Sequence, residues 1–312
     1  MLEYYLKELG VNNLPKYLEK YLNVPSLTRL KKVGYFCGMD YASKNIYNFR
    51  EYISRYDHSL TVALLTARFT KNRIKTISGL FHDIATPCFS HVVDYMNKDY
   101  VIQESTEEYT EKIIKEDKEL LEFLKQDNID VENIINFKNY SIVDNERPKL
   151  CADRLDGIIL TGIGWTKNIT NEDINAILTN TQVYKNEDKE DELGFTSKGI
   201  ARLVLRINDS IDKNCHSKED IYMMELLARI TKRAIEINLI TYDDLYKYNE
   251  EELFNIFLSS RDYELFNDLD LFRNIEKEDI KETILPSVKS RKINPLVYGK
   301  RYRKNGKRYR KN

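Results

Sequence analysis

The sequence predicts an all-α fold, and three observations point there. Only 11 glycines and 6 prolines punctuate the 312 residues, so long stretches run without a breaker. Apolar residues recur at helical rather than alternating spacing. No succession of short alternating runs, which strands would leave, stands out. In chain order, Leu60, Leu64, Leu65 and Phe69 share one face of a helix that follows His58. A second helix runs from Ile74 through Leu80 and Phe81 into His82-Asp83. Ser105-Thr-Glu-Glu108 has a capping-box pattern and opens a helix with a stripe of Ile113, Ile114, Leu120, Leu121 and Leu124. Leu150 to Trp165 and Met223 to Ile240 read as buried helices, and Tyr242 to Phe257 as one more. The charged run Lys185 to Glu192 reads as a surface loop.

Length allows one large or two ordinary domains with a substantial core. The expected organisation is a motif-bearing core with N-terminal helices over residues 1–170, a helical region over 171–290 packed on that core, and a basic tail over 291–312. Net charge is −1, so no global field draws the chain to nucleic acid or membrane. Cys37, Cys88, Cys151 and Cys215 are widely spaced with no Cys-x-x-Cys pair, which favours reduced thiols. The N-terminus lacks a signal pattern and no run reaches the ~18 apolar residues of a bilayer span. A cytoplasmic location without membrane association is the expectation. The tail differs in kind. Residues 300–311 hold eight Lys/Arg and no acid, and Asn305-Gly306 between basic and aromatic residues is a hairpin signal. Contact with a polyanion through 300–311 and a mobile solubilising tail are the two readings.

The richest chemistry lies in the histidines. There are four, and His58, His82 and His91 fall within one short stretch. Asp83 follows His82, and Asp153 lies downstream in Ala152-Asp-Arg-Leu-Asp156. Imidazole and carboxylate together suit one divalent ion such as Mn, Fe, Ni, Zn, Co or Mg. Inward-facing side chains from several helices of a bundle commonly build such sites. Taken singly, each residue has a duller explanation: a hydrogen-bonded core histidine, or Asp153 paired with Arg154 or Lys149. His91 and Asp94, three apart on a helix, share a face. A carboxylate beside an imidazole fixes its tautomer and is expected to raise its pKa.

Arg55-Tyr-Asp-His-Ser-Leu60, Leu80-Phe-His-Asp-Ile-Ala-Thr-Pro-Cys-Phe-Ser-His91 and Ala152-Asp-Arg-Leu-Asp156 resemble the H…HD…D pattern of HD-domain metal-dependent phosphohydrolases. Within that superfamily the likeness is to the dNTP triphosphohydrolase branch, which includes bacterial dGTP triphosphohydrolases. Leu27-Thr-Arg-Leu30 faintly echoes an entry segment of that branch, and Lys289-Ser-Arg-Lys-Ile-Asn-Pro-Leu296 a late one. The resemblance implies an HD-domain helical bundle with additional C-terminal helices and a short basic tail. It implies metal ligation by His58, His82, Asp83 and Asp153, catalysis by His91 with Asp94, and phosphate contact by Arg55 and Arg154. It also implies a nucleotide substrate, hydrolysis of a dNTP to deoxynucleoside and triphosphate, and a homo-oligomer. Several positions depart from the pattern. Thr86 stands where some relatives have a second histidine, and Gln103 or Glu104 where another is expected. Gly157 replaces a usual Tyr, and Thr161 an acid that some carry. These leave two alternatives open: an HD-type nucleoside monophosphate or cyclic-nucleotide phosphohydrolase, and a catalytically retired nucleotide-binding regulatory module.

Overall fold

A helical hairpin lies at the centre of the computed structural model, which describes residues 1–103, 109–280 and 287–303. Its first helix, Arg55–Thr70, starts at Ser54. The Ser54 hydroxyl accepts the Asp57 N–H while the Asp57 carboxylate accepts the Ser54 N–H. Such a reciprocal cap contributes roughly 1 kcal/mol. Lys71 ends the helix in the left-handed conformation, and Asn72 caps the second helix, Arg73–Phe81. The two pack so closely that a Cβ on Gly79 would meet the Thr66 hydroxyl at 3.1 Å. Helix Ala152–Gly164 lies against Arg55–Thr70, and its Gly164 leaves room for the Phe36 ring.

Helices Lys198–Cys215 and Lys218–Glu236 follow. Lys218–Glu236 packs on the short helix Val92–Met96 and on Tyr263–Asn274. One apolar core runs without interruption from Tyr5 to Val297. No helix among the described residues is long and apolar enough to cross a membrane.

Most of the chain is helical, and the all-α expectation fails at one edge. Thr181–Lys185 and Asp191–Phe195 form an antiparallel hairpin. Leu296–Val297 adds to it in parallel, and Lys300–Arg301 closes the four-stranded sheet. The charged run read as a loop is therefore the tip and flank of a hairpin. Its Glu192 is fully buried, where the Arg301 guanidinium bonds both carboxylate oxygens at 2.5 and 2.7 Å. Arg301 also pairs with Glu187, so the first cations of the basic tail are part of the sheet. The Asn305-Gly306 hairpin lies outside the described residues, as does the Ser105–Glu108 cap.

Other boundaries shift for local reasons. Asp117 accepts the Leu120 N–H and divides the expected helix over 105–124 into Thr110–Glu116 and Lys118–Gln126. The segment read as one helix from Tyr242 is a 3-10 turn, Tyr242–Tyr246, and then Glu250–Ser259 behind an Asn249 cap. The sheet is tied to the helix that carries Asp153. Leu193 N–H donates to the Leu150 carbonyl and Leu150 N–H to Glu192. The returning C-terminal segment adds Asn294 N–H to the Pro148 carbonyl.

Glu250, the first residue of its helix, is fully buried. It accepts the Phe89 N–H at 3.1 Å, which fixes a loop whose Phe89 and Ser90 both adopt positive φ just before His91. Its other oxygen and Asp40 Oδ2 have no hydrogen-bond donor, yet both lie 2.9 Å from where a Cβ on Gly34 would stand. Burial pushes Glu250 up to about 8, with Asp40 adding to it, and burial pushes Asp40 up to about 6. A carboxyl whose pKa is raised on folding stabilises fully below its unfolded value of about 4.3, and that contribution is lost as pH climbs through the folded value. Melting temperature should therefore fall between about pH 5 and 8. Glu250→Gln, which keeps the neutral form at every pH, should flatten that slope in differential scanning calorimetry. An unchanged slope would remove Glu250 as its source.

Candidate metal centre

The central hairpin delivers two imidazoles to one place. His58 sits one turn into its helix and is 1% exposed; His82 ends the second helix and is 3% exposed. Their ring centroids are 5.0 Å apart. Each ring is held at Nδ1 by a group that only accepts. His58 Nδ1 donates to Asp156 Oδ2 at 2.7 Å, and His82 Nδ1 donates to the Gly79 carbonyl at 2.8 Å. When neutral, as a metal ligand must be, each ring therefore has its lone pair on Nε2.

Those two Nε2 atoms face the same carboxylates. His58 Nε2 is 3.1 Å from Asp153 Oδ1 and 3.7 Å from Asp83 Oδ2. His82 Nε2 is 3.6 Å from Asp153 Oδ1 and 3.7 Å from Asp83 Oδ1. The ligand atoms of His58, His82 and Asp83 lie within 4.8 Å of one another, so the cluster could hold a metal ion. His82 Nε2 is buried without a hydrogen-bond partner. A buried imidazole nitrogen of this kind, among carboxylates, fits a divalent cation.

Electrostatics agree. Burial favours neutral His58, but hydrogen bonds to Asp153 and Asp156 and the carboxylate charges outweigh it and lift the ring to about 10. His82 is also raised, since the Asp83 and Asp153 charges overcome its burial. Burial works against ionised Asp153, yet the two imidazoles hold it well below the usual carboxylate range. With no metal, the site gathers protons around its carboxylates, the surplus of negative charge that a dication balances.

The arginines divide the work differently from the sequence expectation. Arg55 donates from Nη1 to Asp83 at 2.9 Å and from Nε to Ser90 Oγ at 3.1 Å, with its guanidinium over the Tyr35 ring. It thereby joins the cluster to the loop before His91. Arg154 turns to its own chain. It bonds Asn145 Oδ1 and the Asn145 carbonyl at 2.6 Å, and the Lys149 carbonyl. It braces the 144–149 loop, with little donor capacity left for phosphate.

His91 and Asp94 meet as their spacing suggested, Nδ1 to Oδ2 at 2.8 Å. The expected raised pKa does not follow. Burial lowers His91 and the cations Arg291 and Arg55 add to it, which together outweigh the support of Asp94. A neutral imidazole with Nδ1–H on Asp94 keeps its other nitrogen as an acceptor.

Arg55, His58, His82, Asp83, His91 and Asp153 border a cavity of about 1100 Å³, at the upper end of small-ligand pockets. Arg55, Arg147, Lys289 and Arg291 form a cationic wall, and Phe36, Phe49 and Trp165 an aromatic one. Burial lowers Arg147 to about 9 and also lowers Lys289, with neighbouring cations adding to both effects. Of the four, Arg55 has its carboxylate partner in Asp83. The space above Gly157 is filled as well: Tyr35 Oη lies 2.9 Å from where a Gly157 Cβ would stand.

Asp156, Arg291 and Tyr35 were missed as site residues. Asp156 closes the Asp-Arg-Leu-Asp segment one helical turn after Asp153, a signal the sequence did carry. Arg291 lies in the late segment that resembled the triphosphohydrolase branch. Nothing in the local sequence marks Tyr35.

Residues 55–159 match the HD domain family model. That match supports the HD-domain phosphohydrolase superfamily and, with the His58, His82 and Asp83 cluster, a metal-dependent hydrolase. Over 296 residues the chain is 24% identical to an uncharacterized protein of Bacillus subtilis (strain 168), YdhJ, covering 93% of this chain and 86% of that protein.

If the cluster binds a metal, His82→Ala should weaken Mn²⁺ binding by about two orders of magnitude or more. His216→Ala, a half-exposed histidine elsewhere, should leave it unchanged. Titration calorimetry on metal-stripped protein checks both, and equal affinities would remove His82 from the site.

Proposed function

We propose that the protein is a metal-dependent phosphohydrolase acting on nucleotides, hydrolysing a deoxynucleoside triphosphate to deoxynucleoside and triphosphate. The observation that carries this reading is one cavity joining an acid–imidazole cluster to a wall of four cations. A polyphosphate matches both ends, since its oxygens can ligate a divalent ion and its remaining charge suits the guanidinium and ammonium groups. The aromatic side supports a nucleoside beyond the phosphates, because flat rings stack on a base. Departures from the resembled branch at Thr86, Gly157 and Thr161 leave sugar and base preference to experiment.

In this reading His58, His82, Asp83 and Asp153 hold the ion. When bound, it supplies Lewis-acid polarisation of a phosphoryl oxygen and lowers the pKa of a bound water. Arg55 fixes Asp83 and brings positive charge to the reacting phosphoryl group. His91, kept neutral by its surroundings and oriented by Asp94, orients the attacking water and accepts its proton. Attack on the α-phosphorus breaks its bond to the 5′ oxygen, which takes up a proton from solvent as His91 returns the water's proton to solvent.

Metal-replete protein incubated with a panel of NTPs, dNTPs, NMPs and cyclic nucleotides, with products separated by chromatography, tests the reading. Triphosphate and deoxynucleoside from a dNTP are expected. Phosphate released from monophosphates, with dNTPs intact, would favour the monophosphatase reading. Binding without product across Mn, Mg, Co and Ni would favour a retired nucleotide-binding module. His91→Ala should keep the metal and lose about 10²- to 10⁴-fold in turnover. Full activity would overturn its assignment.

A further inference from the structure

We infer that Tyr5, on the first helix of the chain, is a positioning residue for the metal centre and acts on His58 through Asp156. The inference rests on the reading of the His58 cluster as a cation site. It is independent of which phosphoester, if any, is the substrate.

Helix Leu2–Glu8 has one fully buried residue, Tyr5. Its hydroxyl donates to Asp156 Oδ1 at 2.6 Å, while Asp156 Oδ2 accepts His58 Nδ1–H at 2.7 Å. Asp156 is itself 0% exposed, so no solvent can substitute for either donor. The Thr61 hydroxyl also approaches this carboxylate, but it already has the Asp57 carbonyl as acceptor at 2.8 Å. Tyr5 is thus the donor that fixes the second oxygen. A planar carboxylate held at both oxygens has one orientation, and that orientation sets the plane of the imidazole. The imidazole plane in turn decides where the Nε2 lone pair points. The helix is docked at its start, where the Met1 amino group meets Glu51 at 3.2 Å, and it lies against Asn171–Asn180. A segment more than fifty residues before the first histidine therefore takes part in aiming it.

Outer partners of ligating histidines commonly contribute about 10- to 100-fold to metal affinity. Tyr5 stands one bond further out, so a smaller effect is expected. The experiment titrates metal-stripped full-length protein with Mn²⁺ by calorimetry and monitors fold by circular dichroism. Tyr5→Phe removes only the hydroxyl and should weaken binding about 3- to 10-fold. The control is Tyr21→Phe. Tyr21 is equally buried, and its hydroxyl donates to Asp127 at 2.7 Å, away from the cluster. That variant loses a comparable hydroxyl–carboxylate bond and should bind Mn²⁺ within about twofold of the wild type.

Asp156→Asn supplies the second test. If Tyr5 acts through Asp156, adding Tyr5→Phe to that variant should weaken binding no further. This comparison stands even if Tyr5→Phe alone does not fold, because the buried charge is then absent. The relay is overturned if Tyr5→Phe binds like the wild type, if Tyr21→Phe weakens binding as much, or if the Tyr5 and Asp156 effects add. Wild-type protein that takes up no Mn²⁺ would instead overturn the cation reading, and the relay with it.

Discussion

The site depends on one constraint: two buried imidazoles that share a wall must each place a proton on the side away from the other. Asp156 takes the His58 proton and the Gly79 carbonyl takes that of His82. With those protons committed, both Nε2 lone pairs turn toward Asp83 and Asp153. Without Asp156, the His58 tautomer would be free to reverse and put a proton where a cation would sit. The helical hairpin exists in sequence to bring the rings together, but the third helix, Ala152–Gly164, decides what they face. It supplies Asp153 and Asp156 one turn apart, one toward each nitrogen of His58.

An acid–imidazole cluster and a set of buried cations border the same cavity, and Arg55 joins them through Asp83. The carboxylates draw protons onto the histidines, while burial lowers Arg147, helped by Arg154 and Arg291, and lowers Lys289, helped by Arg291 and Arg147. In a solvated surface such imbalances would be screened. Inside a cavity they persist, and a ligand that is itself anionic and bridged by a cation relieves both. This is why the sheet matters although it carries no site residue. The Glu192–Arg301 pair and the Leu296–Val297 strand anchor the returning chain that holds Lys289 and Arg291 beside residues 147–150.

What was legible in the sequence follows from the range of each interaction. The helices over 55–81 and 152–164 showed through apolar spacing, and the histidine cluster through the density of a scarce residue. The sheet was hidden because its strands are at most five residues long and run into a charged turn. Helix Lys198–Cys215 was overlooked although Ile200, Val204, Ile207 and Ile211 form a plain 3.6-residue stripe. Arg154 was expected at phosphate because its position matches the resembled family, and it does border the cavity. Adjacent helical residues diverge by about 100°, and its terminal nitrogens are spent on the 144–149 loop, which sequence alone could not show. Tyr5 and Tyr35 were illegible in principle, since among 22 tyrosines only tertiary contact tells them apart.

Gly157 shows how a departure in sequence can be balanced by a distant residue. Read alone, a glycine in place of a large aromatic suggests an enlarged or abandoned pocket. Here the vacated volume is taken by Tyr35, whose ring also lies against the Arg55 guanidinium and 5.0 Å from His58. Any side chain at 157 would have to displace that hydroxyl, and with it a support of Arg55. The glycine is therefore what admits Tyr35 to the wall of the site, and the cavity keeps an aromatic hydroxyl near the cluster by a different route through the chain.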